Sequence, residues 1–489
     1  MTMERRTLLK TTAGAAVGGP FAGLVAMPAG AHEPPSPGAL MPIPDARDGK
    51  VRLHLPKGFR YRSFHDTETP VTLTDGTALP GRHDGMGAFR GPKHSVILVR
   101  NHEVNNPGAA FGPGEPYDPM ARSGTTTVQV THTGRVIRSF TSLNGTMMNC
   151  SGGQMPWGSW VTCEETVNGP DVGADFTDVP NVPLTKPHGY VFEVPVSHIP
   201  GRGQSKRKPI RHAGRFAHEA VSFDPKGGHL YLTEDNFAFP SGFYRYRPPL
   251  HPKHVGKLLD GGRLQMLKVK GVDNAHLEAQ QTIGATYDVE WVDIPEPDVE
   301  YDYTPGQPAP TPNDTALVHV GDQGRAQGAA GFSRLEGQVY DSGVVYFTST
   351  QGGGTVEPSP PGPELDTGYG NGSGQVWAYN IRRRKLTCVF QSPGPMVLDL
   401  PDNVTTSKQG TLVVCEDNVN DNFIRGLSRR GRLFDIALNR LTSATDVPRF
   451  NDEFAGTTFS PNGETLFVNI QASAGMTFAI WGPWRKIGV

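Results

Sequence analysis

In the 489-residue chain, 48 acidic side chains nearly balance 46 basic ones, and the formal net charge is −2. This balance gives no indication of a nucleic-acid partner or of a membrane surface that attracts basic protein. The 60 glycines and 44 prolines, with few long apolar stretches of helical period, favour an all-β fold with many turns.

The chain opens with the features of an export signal. Arg5-Arg6 precedes an apolar run rich in Ala and Gly, which ends in the A-x-A sequence of residues 29–31. The paired arginines indicate the twin-arginine type, and we expect cleavage after Ala31. A membrane anchor is the alternative, but glycines and a proline interrupt the run. We therefore expect the twin-arginine export machinery to deliver a folded, soluble protein of residues 32–489, without stable membrane insertion, that is periplasmic or secreted.

One phrase recurs six times: an apolar strand of three or four residues that leads into a polar, often acidic turn. The copies are VILVRNHEV from Val96, SWVTCEETV from Ser159, HLYLTEDNF from His229, VVYFTSTQG from Val344, TLVVCEDNV from Thr411 and TLFVNIQAS from Thr465. Strand and turn units repeated without helices predict a β-propeller, whose blades are small antiparallel sheets around a central axis. We therefore predict an all-β, six-bladed β-propeller in which residues 32–489 form a single domain and the recurring strand is innermost in each blade.

Two long stretches between the copies predict insertions between blades. Residues from about 250 to 330 include the acidic, proline-rich sequence DIPEPDVEYDYTPGQPAPTPND. We expect this insertion either to cover the mouth of the central tunnel or to lie without regular structure. Residues 351–374 form the second long loop. Neither stretch has the composition of a domain linker, which supports one domain.

Acidic residues follow several copies of the strand at equivalent places. They are Glu103 and the pairs Glu164-Glu165, Glu234-Asp235 and Glu416-Asp417. In a propeller these turns would converge on one end of the axis, where carboxylates repel one another unless cations hold them together. Oxygen ligands of this kind suit Ca²⁺. The alternative is that these residues only form turns.

The four cysteines allow two interpretations. In an exported protein, disulfides are the default, and Cys150–Cys163 and Cys388–Cys415 are the plausible pairs. However, Cys150 lies in a turn of small residues, GTMMNCSGG, from which its side chain could reach the axis. A thiolate beside carboxylates favours a transition metal such as iron, which accepts both sulfur and oxygen ligands.

Two further clusters precede copies of the strand. His218 and Glu219 stand in GRFAHEAVSFD, and Arg334 and Glu336 stand in GFSRLEGQVYD. In an extended segment the side chains of residues i and i+2 point the same way, so Arg334 and Glu336 could both face the axis. An arginine beside a metal-bound carboxylate would bind phosphate or an oxyanion. A surface Arg–Glu ion pair is the alternative.

Taken together, these motifs resemble the PhoX-type alkaline phosphatases from about residue 80 to the end of the chain. The matching residues are Gly145-Thr146, Asn149-Cys150, Pro156-Trp157-Gly158, Thr162-Cys163-Glu164-Glu165, His218-Glu219, Arg334 with Glu336-Gly337, and Cys415-Glu416-Asp417-Asn418. The resemblance implies a six-bladed propeller that hydrolyses phosphate monoesters at a centre of iron and calcium ions. Leu335 stands where the family commonly has proline, and the chain is short for the long-form enzymes.

The resemblance also implies roles for individual residues. Cys150, Glu219 and Glu336 would be the iron ligands and, with Arg334 near the phosphate, the catalytic residues. The candidates for calcium are Glu103, Glu164, Glu165, Asp402 and Glu416.

We therefore expect an exported, metal-dependent phosphatase that acts as a monomer on small-molecule phosphate monoesters or diesters. Two alternatives remain open at this point. One is a calcium-dependent propeller that hydrolyses lactones or other carboxyl esters, which would have no need of the Cys150 thiolate. The other is a non-catalytic propeller that binds a partner.

Overall fold

The three-dimensional structure is a computed structural model that describes residues 38–357 and 368–489. The predicted export signal, residues 1–31, lies outside the described residues. Among the residues described, no helix is both long enough and apolar enough to cross a membrane.

Nearly all regular structure in the described ranges is β-strand, with a single α-helix, α1 (Asn313–Arg325). In chain order the strands are β1 (Met41–Pro44), β2 (Val51–Leu55), β3 (Arg60–Phe64), β4 (His83–Arg90), β5 (Val96–His102), β6 (Ser123–Val130), β7 (Val136–Thr146), β8 (Asn149–Met155), β9 (Ser159–Glu164), β10 (Val191–Pro195), β11 (His218–Phe223), β12 (Leu230–Glu234), β13 (Phe243–Arg247), β14 (Arg263–Val269), β15 (Thr286–Asp293), β16 (Leu335–Asp341), β17 (Val344–Ser349), β18 (Gln375–Asn380), β19 (Lys385–Gln391), β20 (Pro401–Thr406), β21 (Leu412–Glu416), β22 (Phe423–Leu427), β23 (Leu433–Asn439), β24 (Phe454–Phe459), β25 (Thr465–Ile470) and β26 (Met476–Trp481).

The strands pair antiparallel and form five hydrogen-bonded sheets within the described residues. The orders are β4-β5-β6-β7, β8-β9-β10, β11-β12-β13-β14-β15-β19-β18-β17-β16, β20-β21-β22-β23-β2-β1 and β24-β25-β26-β3. Strands β2 and β3, from the N-terminal part of the described chain, thus complete sheets built from its C-terminal part.

Six strands lie innermost and contact one another in a closed ring. Their order around the axis is β4, β8, β11, β16, β20 and β24, and β24 packs against β4 to close the circle. Each pairs with the strand that follows it in the chain. The structure therefore confirms the prediction of an all-β, propeller-like chain.

The recurring apolar phrase does not occupy the innermost strands, so this part of the prediction was wrong. It forms the second strand of each unit, namely β5, β9, β12, β17, β21 and β25. A second strand is covered on both faces by neighbouring sheets, as the burial of all seven residues of β5 illustrates. The sequence of a strand that is buried on both faces is a continuous apolar run. Strands at the crowded axis instead need small residues.

Glycines in the innermost strands let the backbones approach closely at the axis. A Cβ atom at Gly85 would lie 2.5 Å from Cα of Ser151, and one at Gly337 would lie 2.6 Å from Cα of Asn403. Both distances are below any real contact of a Cβ atom. Four of the six innermost strands, β4, β8, β16 and β24, therefore carry glycine where an apolar residue would otherwise be expected.

The segment predicted as an insertion, residues 250–330, contains regular structure. Strand β14 pairs with β13, and β15 pairs with β14 on one side and with β19 on the other. Through β15, two groups of strands join into the nine-stranded sheet. The helix α1 packs near β14. The proline-rich part follows β15 and leads into α1.

Candidate metal centre

The second residue of five innermost strands carries a ligating side chain. These residues are Asp84 of β4, Cys150 of β8, Glu219 of β11, Glu336 of β16 and Asp402 of β20. The sixth innermost strand, β24, has Ala455 at this position. In these five strands the pairing register shifts at this residue, which marks a β-bulge, and in β24 it shifts directly after Ala455. A bulge re-aims a side chain, so the repeat directs this position toward the axis.

The residue directly after the second strand supplies a further set of polar groups. In chain order these residues are Glu103, Glu165, Asp235, Thr350, Asp417 and Gln471. Each follows the strand residue that pairs with the first residue of the innermost strand. The two sets therefore meet at the same end of the axis.

Except for Asp235 and Thr350, the ligating residues of these two sets line a cavity of about 150 Å³. Within the described ranges its lining has eight carboxyl groups against two guanidinium groups. The lining residues are Arg82, Asp84, Glu103, Cys150, Glu165, Glu219, Arg334, Glu336, Asp402, Asp417, Glu453 and Gln471. Such an excess of buried negative charge requires cations or protons for the fold to hold.

Two groups of carboxylates come especially close together. Oxygen atoms of Glu165, Asp235 and Glu336 lie within 4.8 Å of one another, and so do oxygen atoms of Glu219, Glu336 and Asp402. Oε2 of Glu219 is buried and has no hydrogen-bond partner among the described residues. A buried carboxylate oxygen without a partner is costly unless a cation binds it. The donor set and this atom therefore fit metal ions.

The pKa values of these carboxyl groups show the same electrostatic problem. Burial raises the pKa of Glu219 well above its usual value, and the charges of Asp402 and Asp84 raise it further. Burial and the charge of Asp417 raise the pKa of Asp402 to about 7. Burial and Asp235 also raise the pKa of Glu336. A metal ion would reverse these shifts, because a cation stabilises the ionised carboxylate.

Cys150 is the sulfur ligand available in this cavity. Its Sγ atom lies 3.2 Å from the carbonyl oxygen of His218. Burial, with Glu165 and Glu219 nearby, raises the pKa of this thiol well above its usual value. A thiolate here therefore requires a bound metal ion. Cys163 packs in the same hydrophobic cluster as Cys150 but does not line the cavity. The cysteines Cys150, Cys163, Cys388 and Cys415 are all buried and form no disulfide.

Arg334 enters the cavity directly before β16. Its Nη2 atom donates to Oδ2 of Asp235 at 2.7 Å and to Oε1 of Glu336 at 2.8 Å. The guanidinium carbon lies 5.3 Å from the centroid of the Phe237 ring, which is 41% exposed. The structure thus holds this guanidinium group rigidly at the edge of the carboxylate cluster.

Two residues predicted as calcium ligands lie outside the cavity. Glu164 accepts hydrogen bonds from Nδ1 of His188 and from the backbone N–H groups of Met147, Gly189 and Tyr190. The carboxylate of Glu416 accepts from Arg425 and from the backbone N–H groups of Asp399 and Phe423. Adjacent residues of a strand face opposite sides, so only the second member of each acidic pair reaches the axis.

The structure brings the other predicted residues together and adds several that were not among the predicted ligands or catalytic residues. Cys150, Glu219, Glu336, Arg334, Glu103, Glu165 and Asp402 all line the cavity. The added residues are Arg82, Asp84, Asp235, Asp417, Glu453 and Gln471. Asp235 and Asp417 were signalled by their acidic pairs. Asp84 could have been found from the repeat. The number of residues between Asp84 and Glu103 differs by only a few from the number between Glu219 and Asp235.

Comparisons with known proteins add family information to this geometry. The family model described as alkaline phosphatase PhoX matches residues 39–140 and 132–474. The fold is similar to that of Pseudomonas fluorescens PhoX in complex with vanadate, a transition state analogue, with a TM-score of 0.63 and 17% identity over 91% of this chain and 97% of that one. No curated protein matches the chain.

Two other solved structures are less similar. Virginiamycin B lyase from Staphylococcus aureus has a TM-score of 0.38 and 11% identity over 86% of this chain and 99% of that one. A gluconolactonase from Xanthomonas campestris has a TM-score of 0.38 and 11% identity over 91% of this chain and 98% of that one. These TM-scores are too low to support a functional argument.

Proposed function

The chain belongs to the alkaline phosphatase PhoX family, and we propose that it is an exported, metal-dependent phosphatase that hydrolyses phosphate monoesters in the axial cavity. Family membership makes it a phosphoric ester hydrolase. The observation that carries the proposal is the lining of the cavity, where eight carboxyl groups, one thiol and two guanidinium groups surround about 150 Å³ among the described residues.

We propose iron and calcium as the metals of this centre. Cys150, Glu219 and Glu336 would hold iron, because iron accepts sulfur and oxygen ligands together. Glu103, Glu165 and the remaining carboxylates, Asp402 among them, would hold calcium, which prefers several oxygen ligands. When bound, the metal ions would supply Lewis acidity to the phosphoryl group.

The chain's own residues would bind and orient the ester. Arg334 would stabilise negative charge on the phosphoryl oxygens, since a guanidinium group matches the geometry of phosphate. Asp235 and Glu336 fix its position through hydrogen bonds at 2.7 and 2.8 Å. Because this ion-pair network is largely buried, little reorganisation is needed when the substrate binds. The cavity is small, so the ester's alcohol portion would remain outside it.

Several finer features belong to the same proposal. We infer that the ring of innermost strands marks six blades, with the nine-stranded sheet formed by two blades that join through β15 and β19. We also propose that residues 1–31 are removed after twin-arginine export, and that the mature protein is a periplasmic or secreted monomer. Neither the lactonase nor the non-catalytic alternative is favoured, because the family is one of phosphatases.

A metal-reconstitution experiment tests the proposed function. The purified protein would be stripped with a chelator, then reloaded with iron, with calcium or with both, and its metal content measured by elemental analysis. We expect release of p-nitrophenol from p-nitrophenyl phosphate only after reloading, with the highest rate when both metals are present. Full activity of the stripped protein would contradict a metal-dependent mechanism. The absence of any phosphate release after reloading would contradict a phosphatase.

A further inference from the structure

Arg82 and Arg334 occupy the same position in two different units of the repeat. Arg82 directly precedes β4 and stands two residues before Asp84, and Arg334 directly precedes β16 and stands two residues before Glu336. Both have a positive φ, of 44° and 41° respectively. Arginine rarely adopts this left-handed conformation. The shared strain shows that one turn geometry places both side chains.

The turn itself does not require arginine. The residues that precede the six innermost strands are Arg82, Met148, Ala217, Arg334, Leu400 and Glu453. Met148 and Leu400 adopt the same left-handed conformation, with φ of 43° and 46°. Since apolar residues are accepted in the same turn, the two arginines are explained by what their guanidinium groups contact.

The two arginines lie on opposite sides of the axis. Around the closed ring of innermost strands, β16 is three places from β4 in either direction. Both side chains line the same cavity of about 150 Å³. Because both arginines line this one small cavity, a phosphoryl group bound in it would lie beside both guanidinium groups.

The hydrogen bonds of the two guanidinium groups are also alike. Arg82 donates from Nη2 to Oε2 of Glu103 at 2.6 Å and from Nε to the carbonyl oxygen of Glu103 at 2.5 Å. Arg334 uses the same two nitrogens, but on two carboxylates: Nε donates to Asp235, and Nη2 donates to Asp235 and Glu336. Among the described residues, Nη1 of neither arginine makes a hydrogen bond. Each group is therefore anchored on one edge and keeps donors for a ligand.

We propose that Arg82 is a second phosphate-binding residue, so that two opposed guanidinium groups hold the phosphoryl group and favour dianionic monoesters over monoanionic diesters. This rests on the proposed phosphatase function. At neutral and alkaline pH a phosphate monoester carries close to two negative charges, whereas a diester carries one. Esterification of a second oxygen removes the acceptor that one of the two arginines would bind. The second arginine thus contributes mainly to monoester binding.

The test compares R82Q with the wild-type protein on p-nitrophenyl phosphate and on bis(p-nitrophenyl) phosphate, which share one leaving group. We expect kcat/KM to fall about 100-fold for the monoester and much less for the diester. Binding of inorganic phosphate, followed by calorimetry on the metal-loaded protein, should weaken in parallel. R211Q is the matched control, because the Arg211 side chain is 31% exposed, close to the 34% of Arg82, and pairs with Asp298 but does not line the cavity.

The outcomes separate this inference from the proposed function. An equal loss on both esters, or unchanged phosphate binding by R82Q, would overturn the role of Arg82. If R82Q does not fold, R82K would be measured instead. For R82K, a wild-type ratio of monoester to diester activity together with wild-type phosphate binding would overturn the role of Arg82. Failure of the wild-type protein to hydrolyse either ester would contradict the phosphatase itself.

Discussion

Glu164 and Glu165 are neighbours in the chain, yet their carboxyl groups lie in opposite environments. Glu164 is fully buried and its oxygens accept four hydrogen bonds, one of them from Nδ1 of His188 at 2.6 Å. Glu165 lines the axial cavity, where burial and Asp235 raise its pKa well above the usual value. One residue of this pair therefore supports the fold, and the other is available to a metal ion.

This contrast predicts different losses for two matched substitutions. We expect E165Q to fold normally but to lose metal and most phosphatase activity, because it removes a ligand and relieves carboxylate repulsion. E164Q should lower the free energy of unfolding by roughly 3 kcal/mol, since it removes the nearer of the two carboxylates that pair with the buried His188. Elemental analysis and urea unfolding of both variants measure these effects. A stable, fully metal-loaded E165Q would contradict the assignment.

The cysteines allow a second comparison. Replacing Cys150 by serine should abolish iron binding and activity, because the thiolate is the soft ligand in the cavity. Replacing Cys163 by serine should leave the iron content unchanged and lower stability by about 1 to 3 kcal/mol, since it places a hydroxyl in the hydrophobic core. Iron content per chain and thermal unfolding distinguish the two. Equal iron content in wild-type protein and C150S would remove Cys150 from the centre.

His188 predicts a pH dependence of stability. Burial disfavours its charged form, but Glu164 and Asp118 raise its pKa to about 9. A folded-state pKa above the unfolded value of about 6.5 stabilises the fold at low pH, and this contribution is lost as the pH rises through 9. The wild-type protein should lose roughly 3 kcal/mol between pH 6 and pH 10 that H188Q does not lose. Urea unfolding at both pH values measures the difference, and parallel curves would contradict it.

Gly456 predicts a severe effect of a single methyl group. Its φ is +64°, and a Cβ atom would lie 2.4 Å from the carbonyl oxygen of Asp84. G456A should therefore destabilise the protein by about 3 kcal/mol or more, because backbone strain and a steric clash add. Gly343 is the control, with φ of +88° and no atom within 4 Å of such a Cβ, so G343A should cost only about 1 kcal/mol. Thermal unfolding of both variants gives the comparison, and similar losses would disprove the clash.

Phe237 predicts an effect on substrate binding. Its ring lies 5.3 Å from the guanidinium carbon of Arg334. F237A should raise KM for p-nitrophenyl phosphate about threefold with little change in kcat, since a cation–π contact at a partly exposed site contributes about 0.5 to 1 kcal/mol. F176A is a control, because Phe176 is 78% exposed and makes no contact with Arg334. Steady-state kinetics with both variants decides whether the ring positions the arginine.

The general architecture and part of the metal centre could be predicted from the sequence. The physical reasons for this also explain which predictions were wrong. The second strands were recognisable because burial on both faces produces an apolar run that ends in an acidic turn. The innermost strands were not recognisable as apolar runs. In β4, for example, the sequence HDGMGAFR contains glycines that the crowded axis requires. The bulge in each innermost strand also breaks the alternation of side chains, so Asp84 did not stand out.

Individual ligands were harder to assign than the region that contains them. Cys150, Glu219 and Glu336 were suggested by the resemblance of short motifs, and the structure places them in one cavity. Glu164 and Glu416 were chosen from acidic pairs, but a strand directs consecutive side chains to opposite faces. Arg82 carried no signal, because only the closed ring of strands shows that it faces Arg334.

The closure of the ring has a consequence for the timing of assembly. Asp84 comes from the first innermost strand, whereas Glu453 directly precedes the last one, and β3 pairs with β26. A ribosome must therefore release almost the whole chain before the cavity is complete. Metal insertion should be a late, post-translational event, and a nascent chain halted before β24 should not retain the ions. The order of synthesis thus delays activity until the two ends of the chain have met.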